Sequence, residues 1–77
     1  MLEVLYKDGC EPCNKLKMAM SRLNIGFEPV HVGSNRGGEL IQKLRKEVRH
    51  PTVPAVFRND KYLGDSTISV TRMSGLL

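Results

Sequence analysis

The sequence predicts an α/β domain built on a mixed four-stranded sheet with helices on both faces, in the order β-α-β-α-β-β-α. Two observations carry this. Short apolar runs of strand character alternate with apolar stripes at helical spacing, and Gly, Asn and Pro stand at most of the joints. The chain has 77 residues, enough for one domain, residues 1–77, with a modest core.

Leu2 to Tyr6 is an apolar run closed by Lys7-Asp8-Gly9, which reads as a buried strand and a loop. From Cys10 the period changes. Cys13, Leu16, Met20 and Leu23 recur at helical spacing, Lys15, Lys17 and Arg22 occupy other faces, and Asn24 and Gly26 provide the stop. Phe27 to Val32 is a second strand, which Pro29 places near an edge. Gly33-Ser34-Asn35 turns the chain, with Ser34 or Asn35 as cap of a second helix. Leu40, Ile41, Leu44 and Val48 form its apolar stripe. Lys43, Arg45, Lys46 and Arg49 lie on or near its polar side, and His50-Pro51 ends it.

Val53 to Phe57 is a third strand, and Asn59-Asp60 a tight turn into Lys61-Tyr62-Leu63, so the last two strands form a hairpin. Ile68, Val70, Met73, Leu76 and Leu77 give a short amphipathic helix begun at Asp65 or Ser66, though its residues are mediocre helix formers. The opening strand–helix–strand unit requires parallel pairing, so the hairpin adds antiparallel strands to the same sheet.

Apolar residues make up 40% of the chain, which suits a globular fold rather than disorder. No stretch is long and apolar enough to span a membrane. The first residues lack the basic and apolar regions of an export signal, so the expected setting is reducing and cytoplasmic. Nothing in the sequence calls for an obligate dimer, and a monomer is expected. The net charge of +4 favours acidic partners and small anions. The cations are dispersed and aromatics make up 5%, a poor match to a nucleic-acid surface.

The chemistry centres on Cys10-Glu11-Pro12-Cys13, which holds the only two cysteines. A bridge between residues so close constrains the unfolded chain little, so the pair is better explained by reactivity than by stability. The spacing puts Cys10 at or next to the helix N-cap, where unpaired N–H groups and the macrodipole favour an anion. That lowers a thiol pKa and supplies thiolate, the reactive species. Lys7, upstream, adds positive potential. Cys13 falls on the inward stripe, more buried and less acidic. Cys10 is therefore the attacking sulfur and Cys13 the resolving one. Pro12 is tolerated in a first turn, where its missing N–H has no partner to lose. Glu11 suits a helix N-terminus but stands beside the thiolate and opposes its formation.

The same spacing serves zinc sites. The remaining ligands would be His31 and His50, whose separation does not match the usual paired spacing. No metal is therefore expected, and a structural disulfide is disfavoured in a reducing compartment.

A CxxC between a first strand and a helix, followed by Thr52-Val53-Pro54 before a third strand, resembles the glutaredoxin family over nearly the whole chain. The resemblance implies a thioredoxin-like fold and thiol–disulfide oxidoreductase activity through the Cys10/Cys13 dithiol. It also implies a cis peptide bond before Pro54, with the neighbouring backbone pairing with the substrate's main chain. Lys7 stands where the family often carries a lysine that meets a glutathione carboxylate. Arg49 precedes the Thr-Val-Pro segment much as a basic residue does there. Tyr6 is expected to pack rather than line the site.

Three positions depart from the pattern. Pro12 replaces the aromatic residue usual before the second cysteine, and Gly64-Asp65 replaces a Gly-Gly pair after the hairpin. Thr67 stands near the family's acidic residue for the glutathione amino group. Ser66 or Thr67 is then the cap of a helix receiving a glutathione carboxylate, and Asp65 the acidic partner. The expected activity is reduction of protein or glutathione mixed disulfides. No cofactor is tightly bound, glutathione is a co-substrate, and the partners are disulfide-containing proteins. The alternative is a glutaredoxin-like redoxin, reduced by thioredoxin reductase, that serves ribonucleotide reductase. A CxxC metal-binding module is the third reading.

Overall fold

The computed structural model describes residues 2–65. Six elements follow in order: β1 (Leu2–Tyr6), α1 (Glu11–Arg22), β2 (Phe27–His31), α2 (Asn35–Glu47), β3 (Ala55–Arg58) and β4 (Lys61–Asp65). The predicted C-terminal helix, with Ser66 and Thr67, lies outside the described residues. The strands form one mixed sheet in the order β2-β1-β3-β4. β1 runs parallel to β2 and antiparallel to β3, and β4 is antiparallel to β3. Pro29 sits on an edge strand, opposite Val4, as its missing N–H requires.

The alternation of β1 divides the core in two. Leu2 and Val4 point to α1 and meet Leu16, Met20, Ile25 and Val56. Leu5 points to the other face and meets Val30, Leu40, Leu44, Ala55 and Phe57 beneath α2. The two helices therefore cover opposite faces of the sheet, as expected.

The end of α1 departs from the expected stripe. Leu23 is 53% exposed, and Ile25 fills the core instead. Asn24 adopts φ 57°, and the helix closes with Asn24 N–H to Ser21 C=O at 3.1 Å and Ile25 N–H to Met20 C=O at 2.9 Å. This is the Schellman pattern, whose apolar contact joins the residue after the left-handed position to one in the last turn, here Ile25 to Met20. The 3.6-residue period fails at Leu23 because the chain has already left the helix.

Ser34 is the cap of α2: its Oγ accepts the Gly37 N–H at 2.9 Å and donates to the His31 carbonyl at 2.7 Å. α2 ends at Glu47, before His50-Pro51, with Val48 as its C-cap. The first turn of α2 runs so close to β2 that a Cβ on Gly37 would lie 2.0 Å from the His31 carbonyl oxygen. Arg36 ties the same turn to the sheet. Its Nε and Nη2 donate to both carboxylate oxygens of Glu3, at 2.8 and 2.6 Å, and its Nη1 to Glu39 at 2.8 Å. It also pairs with Asp60 in the hairpin turn. Glu3 points to the α2 face, the one charged side chain in β1, and this fork compensates it.

Asn59 and Asp60 form the two-residue turn between Arg58 and Lys61, both at positive φ, 50° and 68°. The hairpin differs from expectation at both ends. β3 begins at Ala55, not Val53, because Val53 and Pro54 turn into it through a cis peptide bond. β4 continues past Leu63, so Gly64 and Asp65 pair opposite Val56 and Ala55 instead of following the strand. The register slips beside Val56 and Phe57, which leaves Leu63 as an inserted residue.

Two measurements check this packing. Gly37→Ala should cost on the order of 2 kcal/mol by forcing α2 off β2, whereas Gly38→Ala, with open space around its Cβ, should gain about 0.5–1 kcal/mol. Urea unfolding midpoints of the two variants should move in opposite directions. The Arg36 hydrogen bonds hold the Glu3 carboxyl below its ordinary value of 4.5 against the opposing effect of burial. Its contribution is thus complete above the unfolded-state value and fades as pH falls through the lower folded value. Stability measured between pH 6 and pH 3 should fall in the wild type, and Glu3→Gln should flatten that fall by on the order of 1 kcal/mol.

Candidate active site

α1 begins directly after the β1–α1 loop, where Gly9 takes φ 70°. Cys10 has extended backbone, φ −93° and ψ 102°, and is the N-cap. Its Sγ accepts the Cys13 N–H at 3.2 Å, and its carbonyl accepts the Asn14 N–H at 3.2 Å. A sulfur thus takes the place usually filled by a Ser or Asp oxygen. Glu11 and Pro12 are the first two helical residues and face solvent. Cys13 is fully buried and Cys10 is 5% exposed. A disulfide joins them, with Cα atoms 5.3 Å apart.

The second wall is the loop before β3. The Val53–Pro54 peptide is cis, and the Val53 carbonyl oxygen lies 3.9 Å from Cys10 Sγ. Pro54 is buried, Val53 half-buried and Thr52 exposed. Residues from two distant segments of the sequence, Cys10 with Cys13 and Val53 with Pro54, therefore meet at one end of the sheet. Lys7, Thr52 and Val53 line an open groove of about 540 Å³ that runs from there along α2. Gly64 lies in β4 and does not line it. Arg49 is exposed and is likewise absent from the lining.

Around the loop, charge is distributed on both sides of the sulfurs. Glu11 and Lys15 form an exposed ion pair at 3.6 Å. Tyr6 packs under the Lys17 ammonium, 4.0 Å from the ring centroid, and edge-on against His31 at 5.3 Å. His31 Nδ1 accepts the Gly33 N–H at 3.0 Å, which leaves the proton on Nε2, 3.1 Å from the Asp8 carboxylate. His31 thereby pins the loop that precedes Cys10 to the end of β2. Among the described residues no three of His, Cys, Asp and Glu cluster as metal ligands.

Sequence reasoning missed the His31–Asp8 link and the part of Arg45 and Ile41 in the groove. Spacing of four residues on α2 puts those two on one side, but helical periodicity alone assigns Arg45 to solvent. The cation at Arg36 had one signal, the unexplained glutamate within the apolar first strand.

The chain is similar in fold to several solved structures. The chain superposes on the holo form of glutaredoxin C1 from Populus tremula x tremuloides with a TM-score of 0.69 and 22% identity, covering 97% of this chain and 73% of that one. The thioredoxin-like protein BC3987 gives 0.69 and 18% over the full length of both. A buckwheat glutaredoxin, solved as a complex with glutathione, gives 0.67 and 24%, covering 84% of this chain and 60% of that one. At these identities the structures show a shared thioredoxin-like fold. No curated protein matches the sequence. The family model for glutaredoxin, however, matches residues 2–63, from the first strand to the last, with the CxxC and the Thr-Val-Pro segment inside it. The chain belongs to the glutaredoxin family.

Proposed function

We propose that this protein is a dithiol thiol–disulfide oxidoreductase that reduces protein or glutathione mixed disulfides, with Cys10 attacking and Cys13 resolving. One observation carries the assignment: Cys10 Sγ caps α1, accepting the Cys13 N–H at 3.2 Å, while Cys13 lies fully buried behind it. Donation from a helix N-terminus favours the thiolate over the thiol, so the sulfur nearer solvent is also the better nucleophile.

In the reduced protein the Cys10 thiolate attacks a substrate disulfide. A bond forms between Cys10 Sγ and one substrate sulfur, and the other substrate sulfur leaves and takes up a proton. Cys13 then gives up its proton, and its sulfur attacks Cys10 Sγ. The second substrate thiolate leaves, and the protein holds the Cys10–Cys13 disulfide. The substrate has gained two electrons and two protons. Two further thiols are needed to restore the dithiol. Glutathione is the proposed reductant, supported by family membership and by the glutathione complex of the buckwheat relative. Lys7, Thr52 and Val53 are the proposed contacts, with Pro54 holding the Val53 backbone beside Cys10; Gly64, Asp65, Ser66 and Thr67 are proposed on the family resemblance alone, Gly64 lying outside the groove. Exposed Pro12, in place of the family's aromatic, favours a second reading in which thioredoxin reductase supplies the electrons.

The deciding assay mixes the oxidised protein with NADPH and either glutathione plus glutathione reductase, or thioredoxin reductase. NADPH oxidation in the first mixture and its loss in Cys10→Ser are the expected results. Oxidation only in the second mixture would transfer the protein to the redoxin reading, and activity retained in Cys10→Ser would remove the proposed nucleophile. A second measurement concerns Glu11, whose carboxylate stands beside Cys10 at the start of α1. In Glu11→Gln the Cys10 thiol should titrate at lower pH, read by thiolate absorbance. An unchanged value would show that the Lys15 ion pair already neutralises the carboxylate, and a raised one that Glu11 does not oppose the thiolate.

A further inference from the structure

The groove beside the disulfide has a lining that dithiol exchange by itself does not need. Its floor is aliphatic: Val32 beyond β2 and Ile41 of α2 present its accessible surface, with Leu5 of β1 and Leu44 of α2 buried beneath them. Val32 and Ile41 pack against the core of that face yet remain only half-buried. Two cations, Lys7 and Arg45, stand over this floor. Neither has an acidic partner among the described residues, and none of the described residues lining the groove is acidic. At the near end is Val53, whose carbonyl oxygen lies 3.9 Å from Cys10 Sγ. Neither cysteine lines the groove, so a ligand in it reaches Cys10 Sγ past Val53.

The complement of such a surface is a bulky aliphatic side chain together with a carboxylate, both attached close to a half-cystine. Glutathione answers this in part. It brings carboxylates, but its side chains offer the aliphatic floor little to cover, and its ammonium is repelled by both cations. A protein segment running past Val53 can bring all three groups. In an extended segment, side chains on one face recur about every 6.6 Å, so a neighbour of the half-cystine reaches the groove. We propose that the groove binds the segment flanking a protein disulfide, and selects those in which an aliphatic and an acidic residue stand beside the half-cystine. The proposal rests on the reading of Cys10 as the attacking sulfur and names the substrate class that sulfur serves. The net charge of +4 adds long-range attraction toward acidic segments.

The test uses the pre-reduced protein, freed of reductant, and times its reaction with synthetic single-cysteine peptides held as mixed disulfides with 2-mercaptoethanol. The cysteine is flanked by leucine and glutamate, by leucine and lysine, or by alanine and glutamine; bis(2-hydroxyethyl) disulfide is the small reference. The leucine–glutamate peptide should react about tenfold faster than the alanine–glutamine one, the effect of covering one leucine side chain. It should react about two- to fivefold faster than the leucine–lysine peptide at low salt, a difference that shrinks as salt is added. Arg45→Glu should reverse the order of the glutamate and lysine peptides, which a general loss of folding or of thiol reactivity does not do. Equal rates on all three peptides would overturn the proposal and leave the oxidoreductase reading standing. No reaction with any disulfide, the small reference included, would overturn that reading and the proposal with it.

Discussion

A strand paired along both edges and covered on both faces can carry almost nothing but apolar side chains, and β1 is such a strand. β2 and β3 take up its hydrogen bonds, and α1 and α2 take up its alternate side chains. Leu2, Val4 and Leu5 are fully buried as a result. The strand is also the shortest route to the paired cysteines, because its C-terminal end runs through one loop into the N-terminus of α1. Fixing β1 therefore fixes the height at which Cys10 emerges and the side from which β3 approaches it. The antiparallel pairing of β1 with β3, which sets Leu5 opposite Ala55, brings the Val53–Pro54 segment to the same end of the sheet as Cys10.

At that end, structure and chemistry use the same atoms. The first N–H groups of any helix lack partners within it, and here one of them is satisfied by sulfur. The N–H that the start of α1 leaves unpaired is the one that donates to Cys10 Sγ, the geometry on which the proposed role of Cys10 rests. Burial then separates the two sulfurs, since Cys13 lies one helical turn further on the stripe that contains Leu16 and Met20. The loop is held from below as well. Tyr6, His31 and Asp8 link the end of β1, the end of β2 and the loop itself through ring contacts and hydrogen bonds that do not involve the cysteines.

The far end of the molecule solves a different problem. Glu3 sits in the most enclosed strand, and a carboxylate there demands a partner with matching geometry. Arg36 supplies a fork of donors from the first turn of α2, and reaches Asp60 in the hairpin as well. One guanidinium thus joins the central strand, the helix and the β3–β4 turn. The close approach this requires is possible only because Gly37 has no Cβ to meet the His31 carbonyl.

Much of this was legible in the residues themselves. The order of elements, the mixed sheet, the turn at Asn59-Asp60 and the position of Cys10 at a helix mouth follow from local patterns, because alternation, capping and turn chemistry act over a few neighbouring residues. The Thr-Val-Pro segment drew attention through its resemblance to a family. Local pattern could not show that Leu23 leaves the core to Ile25, since the Schellman closure at Asn24 competes with the helical period and wins. Nor could it show where Glu3 finds its charge partner, or that Lys7, Ile41, Arg45 and Val53 share one groove. Those facts depend on contacts between residues tens of positions apart, and only the folded sheet brings them together. The sequence by itself determined which sulfur caps a helix; the tertiary structure decided what stands opposite it.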